Sequence, residues 1–317
     1  RLPGGRDAAG APRFDQPVAP GGYRWWFLDA LADDGRFGLT VIAFVGSVFS
    51  PYYRRARARG RDDPEQHVAI NVALYGPGVG RWTMTERGAG ALHRGARELA
   101  IGPSALRWSG ERLELAVDEW AVPLPRRVRG RIQVWPQGLS RFVASLDGEG
   151  RHRWGPIAPA ARVEVAFDAP RLRWAGHGYL DCNEGDEPIE RPFRSWDWSR
   201  AQLAGGDTAV LYDVRERSGA ERLLALRFAR DGRVGEFDAP ARRPLPGTLW
   251  RVPRQVRAES APALVRTLED TPFYVRSELR TRLLGEEVTA LHESLEVPRL
   301  ASPVVQWMLP WRMPRRA

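Results

Sequence analysis

The sequence contains no lysine, and all 48 of its basic residues are arginine. Cysteine is nearly absent too. With Cys182 alone, no disulfide can form within the chain, and a reducing compartment is the natural setting. Long apolar runs are missing: the longest, Phe37–Phe49, is broken by Gly38 and Gly46 and is too short to cross a bilayer as a helix. Residues 1–13 open rich in Gly, Ala and Arg without an apolar stretch, which reads as a flexible terminus with no signal peptide. The common cofactor signatures are lacking as well. No G-x-G-x-x-G follows a strand, and there is no Walker loop and no G-x-S-x-G elbow. No two histidines have H-E-x-x-H spacing, and one thiol cannot build a thiolate metal cluster. Nicotinamide, ATP, serine-hydrolase and zinc chemistry are therefore disfavoured. The expectation is no cofactor and no metal, with acid–base work left to carboxylates and histidine.

What is present is an unusual number of tryptophans, 13 in 317 residues, and a net charge of +9. Indoles bring large apolar area and faces that attract cations, which suits a big apolar ligand as well as a ligand-free β-protein. The charge permits attraction to an anionic surface. No zinc finger, RNA-binding aromatic signature or basic heptad helix accompanies it, so nucleic acid is not an expected partner.

Periodicity is β almost throughout. Leu113, Leu115 and Val117 alternate with polar residues, and so do Val163, Val165 and Phe167, and Leu224, Leu226 and Phe228. Turn pairs such as Ser109-Gly110, Asp147-Gly148 and Asp231-Gly232 separate these runs. A short helix is expected from Ser50, with Pro51 in its first turn. The fold class expected is all-β and mostly antiparallel. The expected division is a terminus over 1–13, an N-terminal domain over 14–195 and a C-terminal domain over 196–317.

Four stretches combine aromatic, acidic and glycine residues more densely than a scaffold requires. In Pro20–Thr40, a strand would put Tyr23, Trp25, Phe27 and Asp29 on one face, running into an Asp33-Asp34-Gly35 turn. In Arg151–Pro159, His152 and Trp154 are two apart and share a face. In Trp174–Asn183, an extended backbone turns His177, Tyr179 and Asp181 one way and Gly176, Gly178, Leu180 and Cys182 the other. Small residues on that second face would let a neighbouring element approach closely. The fourth stretch, Thr267–Arg276 with His292 beyond it, carries Glu269, Asp270 and Tyr274 and reads most simply as buried structural polarity. Trp25, Phe27, Trp174 and His177 are expected to bind the substrate.

These blocks resemble the carotenoid 1,2-hydratase, or hydroxyneurosporene synthase, family of carotenoid-making bacteria. The likeness runs from about Phe14 to Met313 and includes GGYRWWFLDALADDG, HRWGPIAPAARVEV, GYLDCNEGDEPIE, TLEDTPFYVRS and MLPWRMPR. It implies two consecutive lipocalin-like β-barrel domains and places the family's functional positions on His152, Trp154, Tyr179 and Asp181. It further implies hydration of the terminal C1=C2 double bond of an acyclic carotenoid of the lycopene or neurosporene type. Asp181 would donate the proton, Trp154 and Tyr179 would face the tertiary cation, and His152 or Tyr179 would orient water or hold the Asp181 proton. The partners implied are the carotenoid, water and the surface of the inner, photosynthetic membrane, met peripherally from the cytoplasm through Trp311, Arg312, Arg315 and Arg316. A lipocalin-like carrier without catalysis, or an isoprenoid isomerase or cyclase using the same protonation, are the competing readings.

Overall fold

The computed structural model describes residues 4–316; of the terminus expected to be flexible, residues 1–3 lie outside the described residues, as does Ala317. Two compact units emerge. The first runs to Ser145, resumes over Glu149–Pro188 and includes the C-terminal residues from Trp307, and the second comprises Leu146–Gly148 and Ile189–Gln306.

The first unit begins with β1 (Tyr23–Ala32), β2 (Gly38–Val45), β3 (Val68–Tyr75) and β4 (Arg81–Arg87). It continues with β5 (Leu92–Arg94), β6 (Glu98–Ile101), β7 (Ser104–Trp108) and β8 (Leu113–Trp120). Strands β9 (Arg127–Pro136), β10 (Ala144–Ser145), β11 (His152–Ala169) and β12 (Arg171–Gly185) complete it. The order in the antiparallel sheet is β4-β3-β2-β1-β12-β11-β9-β8-β7-β6-β5, with β10 on β11. The sheet curls until its β4 side meets β8. There Arg87 pairs with Glu119 at 2.9 Å and Val122 N–H donates to Trp82 O at 2.9 Å, nearly closing a barrel. Between β2 and β3 sits the short helix α1 (Pro51–Arg57), capped by Ser50 accepting from Tyr53 N–H at 2.9 Å as its sequence suggested.

Alternation decides which side chains fill this barrel. Leu28 and Ala30 of β1, Val41 and Ala43 of β2, Leu113 and Leu115 of β8, Val163 and Val165 of β11, and Leu180 and Cys182 of β12 join one buried apolar cluster. Gly176 and Gly178 face the same way. A Cβ at Gly176 would lie 1.9 Å from Leu31 O, and one at Gly178 would lie 2.5 Å from Val163 Cγ2, so both positions admit only glycine at this strand spacing.

The second unit has β13 (Phe193–Gln202), β14 (Thr208–Glu216), β15 (Glu221–Phe228) and β16 (Val234–Glu236). It adds β17 (Arg242–Pro244), β18 (Gln255–Arg257), β19 (Ala263–Asp270), β20 (Tyr274–Leu283) and β21 (Glu286–Glu296). Seven strands pair in the order β16-β15-β14-β13-β21-β20-β19, and β17 pairs with β18. Its core holds Leu211, Leu279, Val288 and Ala290. Helices α2 (Val297–Leu300) and α3 (Pro303–Arg312) follow. The chain is thus mostly antiparallel β, with a nearly closed barrel-like sheet in the first unit, as the alternation and the family resemblance led one to expect.

Candidate active site

The face of β1, β11 and β12 turned away from the apolar barrel core changes character along its length. At one end it is charged and open, with Arg171 and Arg173 of β12 and Glu164 of β11 exposed. At the other end the same strands bury Tyr179, Asp181 and Asn183 of β12, His152 and Trp154 of β11, and Trp25, Phe27 and Asp29 of β1. The register accounts for the grouping. Asp181 stands directly opposite Phe27 on one side and Pro156 on the other, while Tyr179 faces Asp29 and Asn183 faces both Trp25 and Trp154. Cross-strand partners share a face, so these side chains meet.

At the centre is the Asp181 carboxyl, 3% exposed. Trp154 Nε1–H donates to its Oδ2 at 2.8 Å, and the Tyr179 hydroxyl donates to the same oxygen at 3.0 Å. Oδ1 receives a longer contact from Asn183 Nδ2, at 3.3 Å. Burial pushes the carboxyl up to about 7. The indole and phenol donors oppose this rise, the nearby charge of Asp29 adds to it and that of Arg6 subtracts. A carboxyl in this range is protonated in a large fraction of molecules at neutral pH, which is the state a proton donor needs. Oδ2 thus takes the two shorter hydrogen bonds, and Oδ1 the longer one from Asn183.

Around this carboxyl the walls are aromatic. Phe142 meets Trp154 edge-on with centroids 6.4 Å apart, Trp25 stacks on Tyr23 at 4.9 Å, and Phe44 lies 6.0 Å from Trp25. His152 is fully buried further along the face, with Nδ1 2.8 Å from the Tyr23 hydroxyl and Nε2 3.8 Å from Glu187. Gly185 makes room for that pair, since a Cβ there would lie 2.4 Å from the Tyr23 ring and 2.7 Å from His152 Nδ1.

Of the residues singled out in the sequence, the structure brings together Asp181, Tyr179, Trp154, Phe27 and Trp25, with His152 beside them. His177 shares the face but is only half-buried, opposite Leu31 and Arg162, where the face opens toward charge. Trp174 does not join them. It falls on the even-numbered side of β12 with Gly176 and Leu180, and it packs against the apolar barrel core.

Two contributors were not singled out. Asn183 continues the two-residue period of Tyr179 and Asp181 by one step, so the pattern could have named it. Arg6 gave no such signal. Its fully buried guanidinium donates to Ser140 O and Pro156 O at 2.8 Å, Phe142 O at 3.0 Å and Gly155 O at 2.5 Å. These bonds tie the Phe142 segment to β11 beside its register shift at Pro156, next to Trp154.

Among the described residues, no group of three or more His, Cys, Asp or Glu side chains is placed to hold a metal ion. In the second unit, Asp197, Ser294 and His292 form another buried polar group. Ser294 donates to Asp197 Oδ1 at 2.5 Å, and His292 Nε2 donates to Gln255 O at 2.8 Å.

Comparison with known proteins gives the family. The family profile described as carotenoid hydratase CrtC matches residues 41–317. An acyclic carotenoid 1,2-hydratase of Rubrivivax gelatinosus is 62% identical over 312 residues, covering 97% of this chain and 77% of that protein. Its counterpart from Thiocapsa roseopersicina is 56% identical over 316 residues, covering 99% and 78%. In three dimensions the chain is similar to a crystal structure of an AttH-type protein from Nitrosomonas europaea. The TM-score is 0.58 at 14% identity, over 87% of this chain and 92% of that one, a likeness of fold.

Proposed function

The chain belongs to the carotenoid hydratase family, and we propose that it adds water across the terminal C1=C2 double bond of an acyclic carotenoid through acid catalysis by Asp181. The observation that carries this reading is the state of that carboxyl, buried, raised to about 7 and taking its two shorter hydrogen bonds at one oxygen.

An isolated trisubstituted alkene is a weak base, so the first step needs a protonated acid held against it without competing water. Asp181 Oδ1 delivers its proton to carbon 2 and the C1=C2 electron pair forms the new C–H bond. A tertiary cation remains at carbon 1. The resulting carboxylate is stabilised by the Trp154 and Tyr179 donors already aimed at Oδ2, so no reorganisation is required as charge develops. Indole and phenol faces beside the cation contribute about 2 kcal/mol each when desolvated. Water then bonds to carbon 1 through oxygen. Its surplus proton returns to the site, with His152 or the Tyr179 hydroxyl orienting the water, and Asp181 is protonated again. Trp25 and Phe27 flank the polyene end. His177 would line its approach from the open end of the face, and Trp174 would support the strand from the core side.

Every step uses side chains of this chain and water. The absence of a dinucleotide, phosphate-loop or thiolate pattern from the sequence is in keeping with a reaction needing no cofactor. No helix among the described residues is long and apolar enough to cross a membrane. A substrate dissolved in a bilayer calls for contact with the membrane surface.

The experiment is the mass of the product. Purified protein incubated with lycopene or neurosporene should yield a carotenoid heavier by one water. An unchanged ligand would mark a carrier, and an isomer of unchanged mass would mark a protonation quenched without water.

A further inference from the structure

Helix α3 is two-faced, and its apolar side in solvent is as apolar as its packed side. Val305 and Leu309 are buried, as is Met313 just beyond the helix. Val304, Trp307 and Trp311, at spacings of three and four residues, form a single stripe on the opposite side and are 68%, 69% and 64% exposed. The two indoles lie together, with ring centroids 5.5 Å apart. Single exposed apolar residues are ordinary on a protein surface, but a contiguous stripe of two indoles and a valine is the kind of patch that marks a contact surface.

Along the segment that carries the stripe the charge is of one sign. Residues 297–316 contain no acid, while Arg299, Arg312, Arg315 and Arg316 are basic, in a chain of net charge +9. The Arg312 guanidinium lies 4.3 Å from the Trp82 ring centroid, and Arg315 is held by Glu86 and by Gln66 O, so the residues after the helix are fixed beside it. A second copy of this chain would bring the same positive charge against the same face. An anionic bilayer offers the complement. Indoles favour the boundary between headgroups and acyl chains, where the ring is desolvated and the N–H stays wet, and arginines beside them meet lipid phosphates.

We propose that α3 is the membrane-docking element of this protein, laying Val304, Trp307 and Trp311 into the surface of an anionic bilayer. This rests on the reading of the substrate as a bilayer-dissolved carotenoid for its purpose, though not for its geometry. The docking brings the protein to the phase in which such a substrate resides.

The test uses the full chain and two separate assays. Vesicles of phosphatidylcholine mixed with phosphatidylglycerol, and vesicles of phosphatidylcholine alone, are sedimented with wild-type protein at low salt and without carotenoid. Wild type should sediment with the anionic vesicles, and the double variant Trp307→Ser, Trp311→Ser should bind them at least about tenfold more weakly. Its turnover of detergent-dispersed carotenoid should match the wild type, because neither indole belongs to the active site. Wild type that stays in the supernatant, or a double variant that binds as well as wild type, overturns the proposal. So does a wild-type dimer in velocity sedimentation that becomes a monomer on the double substitution, since a second copy would then cover the face. A failure of the hydratase reading appears only in the detergent assay.

Discussion

Two buried aspartates, one in each unit, invite comparison. Burial raises Asp181 to about 7 and Asp197 to about 6, and each sits mid-strand with a hydroxyl donating to it. Their surroundings differ. Both oxygens of Asp197 are engaged by scaffold, Oδ1 by Ser294 at 2.5 Å and Gln255 N–H at 3.4 Å, and Oδ2 by Arg215 at 3.7 Å. Asp181 is held at Oδ2 by an indole and a phenol in an aromatic wall, and at Oδ1 by the longer contact from Asn183. A perturbed carboxyl alone therefore does not mark the acid. What distinguishes Asp181 is that its two shorter hydrogen bonds converge on one oxygen, with no arginine among the described residues bonded to it in the way Arg215 meets Asp197, and that its neighbours are aromatic.

The sharpest way to break this comparison is to remove each carboxylate in turn. Asp181→Asn should lower turnover by at least about a hundredfold, the range expected for losing a general acid. Asp197→Asn should stay within about threefold of wild type, as expected for a change that leaves the acid in place. Product quantified by chromatography and mass spectrometry decides, with circular dichroism checking that both variants fold. Equal losses would erase the distinction.

Removing one donor is milder. Tyr179→Phe should cost about tenfold in the plateau rate, corresponding to one hydrogen bond to the developing carboxylate. The phenol holds the Asp181 pKa down, so its loss should also move the alkaline limb of kcat/KM to higher pH. Asp29→Asn should shift that limb the other way, to lower pH, because the Asp29 charge holds the proton on. Limbs that move together, or not at all, would disconnect these neighbours from the acid.

The smallest effect concerns stability in the second unit. The folded-state pKa of Asp197 is raised, so its contribution is present at low pH and is lost as pH climbs through about 6. Burial lowers His292 to about 4, so its contribution is lost as pH falls from the ordinary imidazole range toward 4. The two slopes oppose each other. Asp197→Asn removes one side of this opposition, and thermal melts should show stability falling more steeply than in wild type on acidification between about pH 6 and 4, by no more than about 3 kcal/mol. A variant with the wild-type profile would contradict this assignment.

Much of the site was legible because it obeys the period of a strand. Tyr179 and Asp181, and His152 and Trp154, are two apart, and alternation alone sets each pair on one face. Trp174 shows the limit. It lies in the same dense stretch, but its even position turns it to the apolar core. Pairing between distant strands was out of reach of local pattern, so nothing in the sequence placed Phe27 and Asp29 opposite Asp181 and Tyr179. Arg6 was illegible for a different reason. Its partners are backbone carbonyls at residues 140, 142, 155 and 156, and carbonyls leave no trace in side-chain chemistry.

The central claim is that Asp181 works as a protonated acid, and the dependence of kcat/KM on pH tests it most directly. Wild-type activity on detergent-dispersed lycopene should be level on the acidic side and fall about tenfold per unit above a pKa near 7. A profile that instead rises through that range would mean that the ionised carboxylate does the work, and would contradict the account.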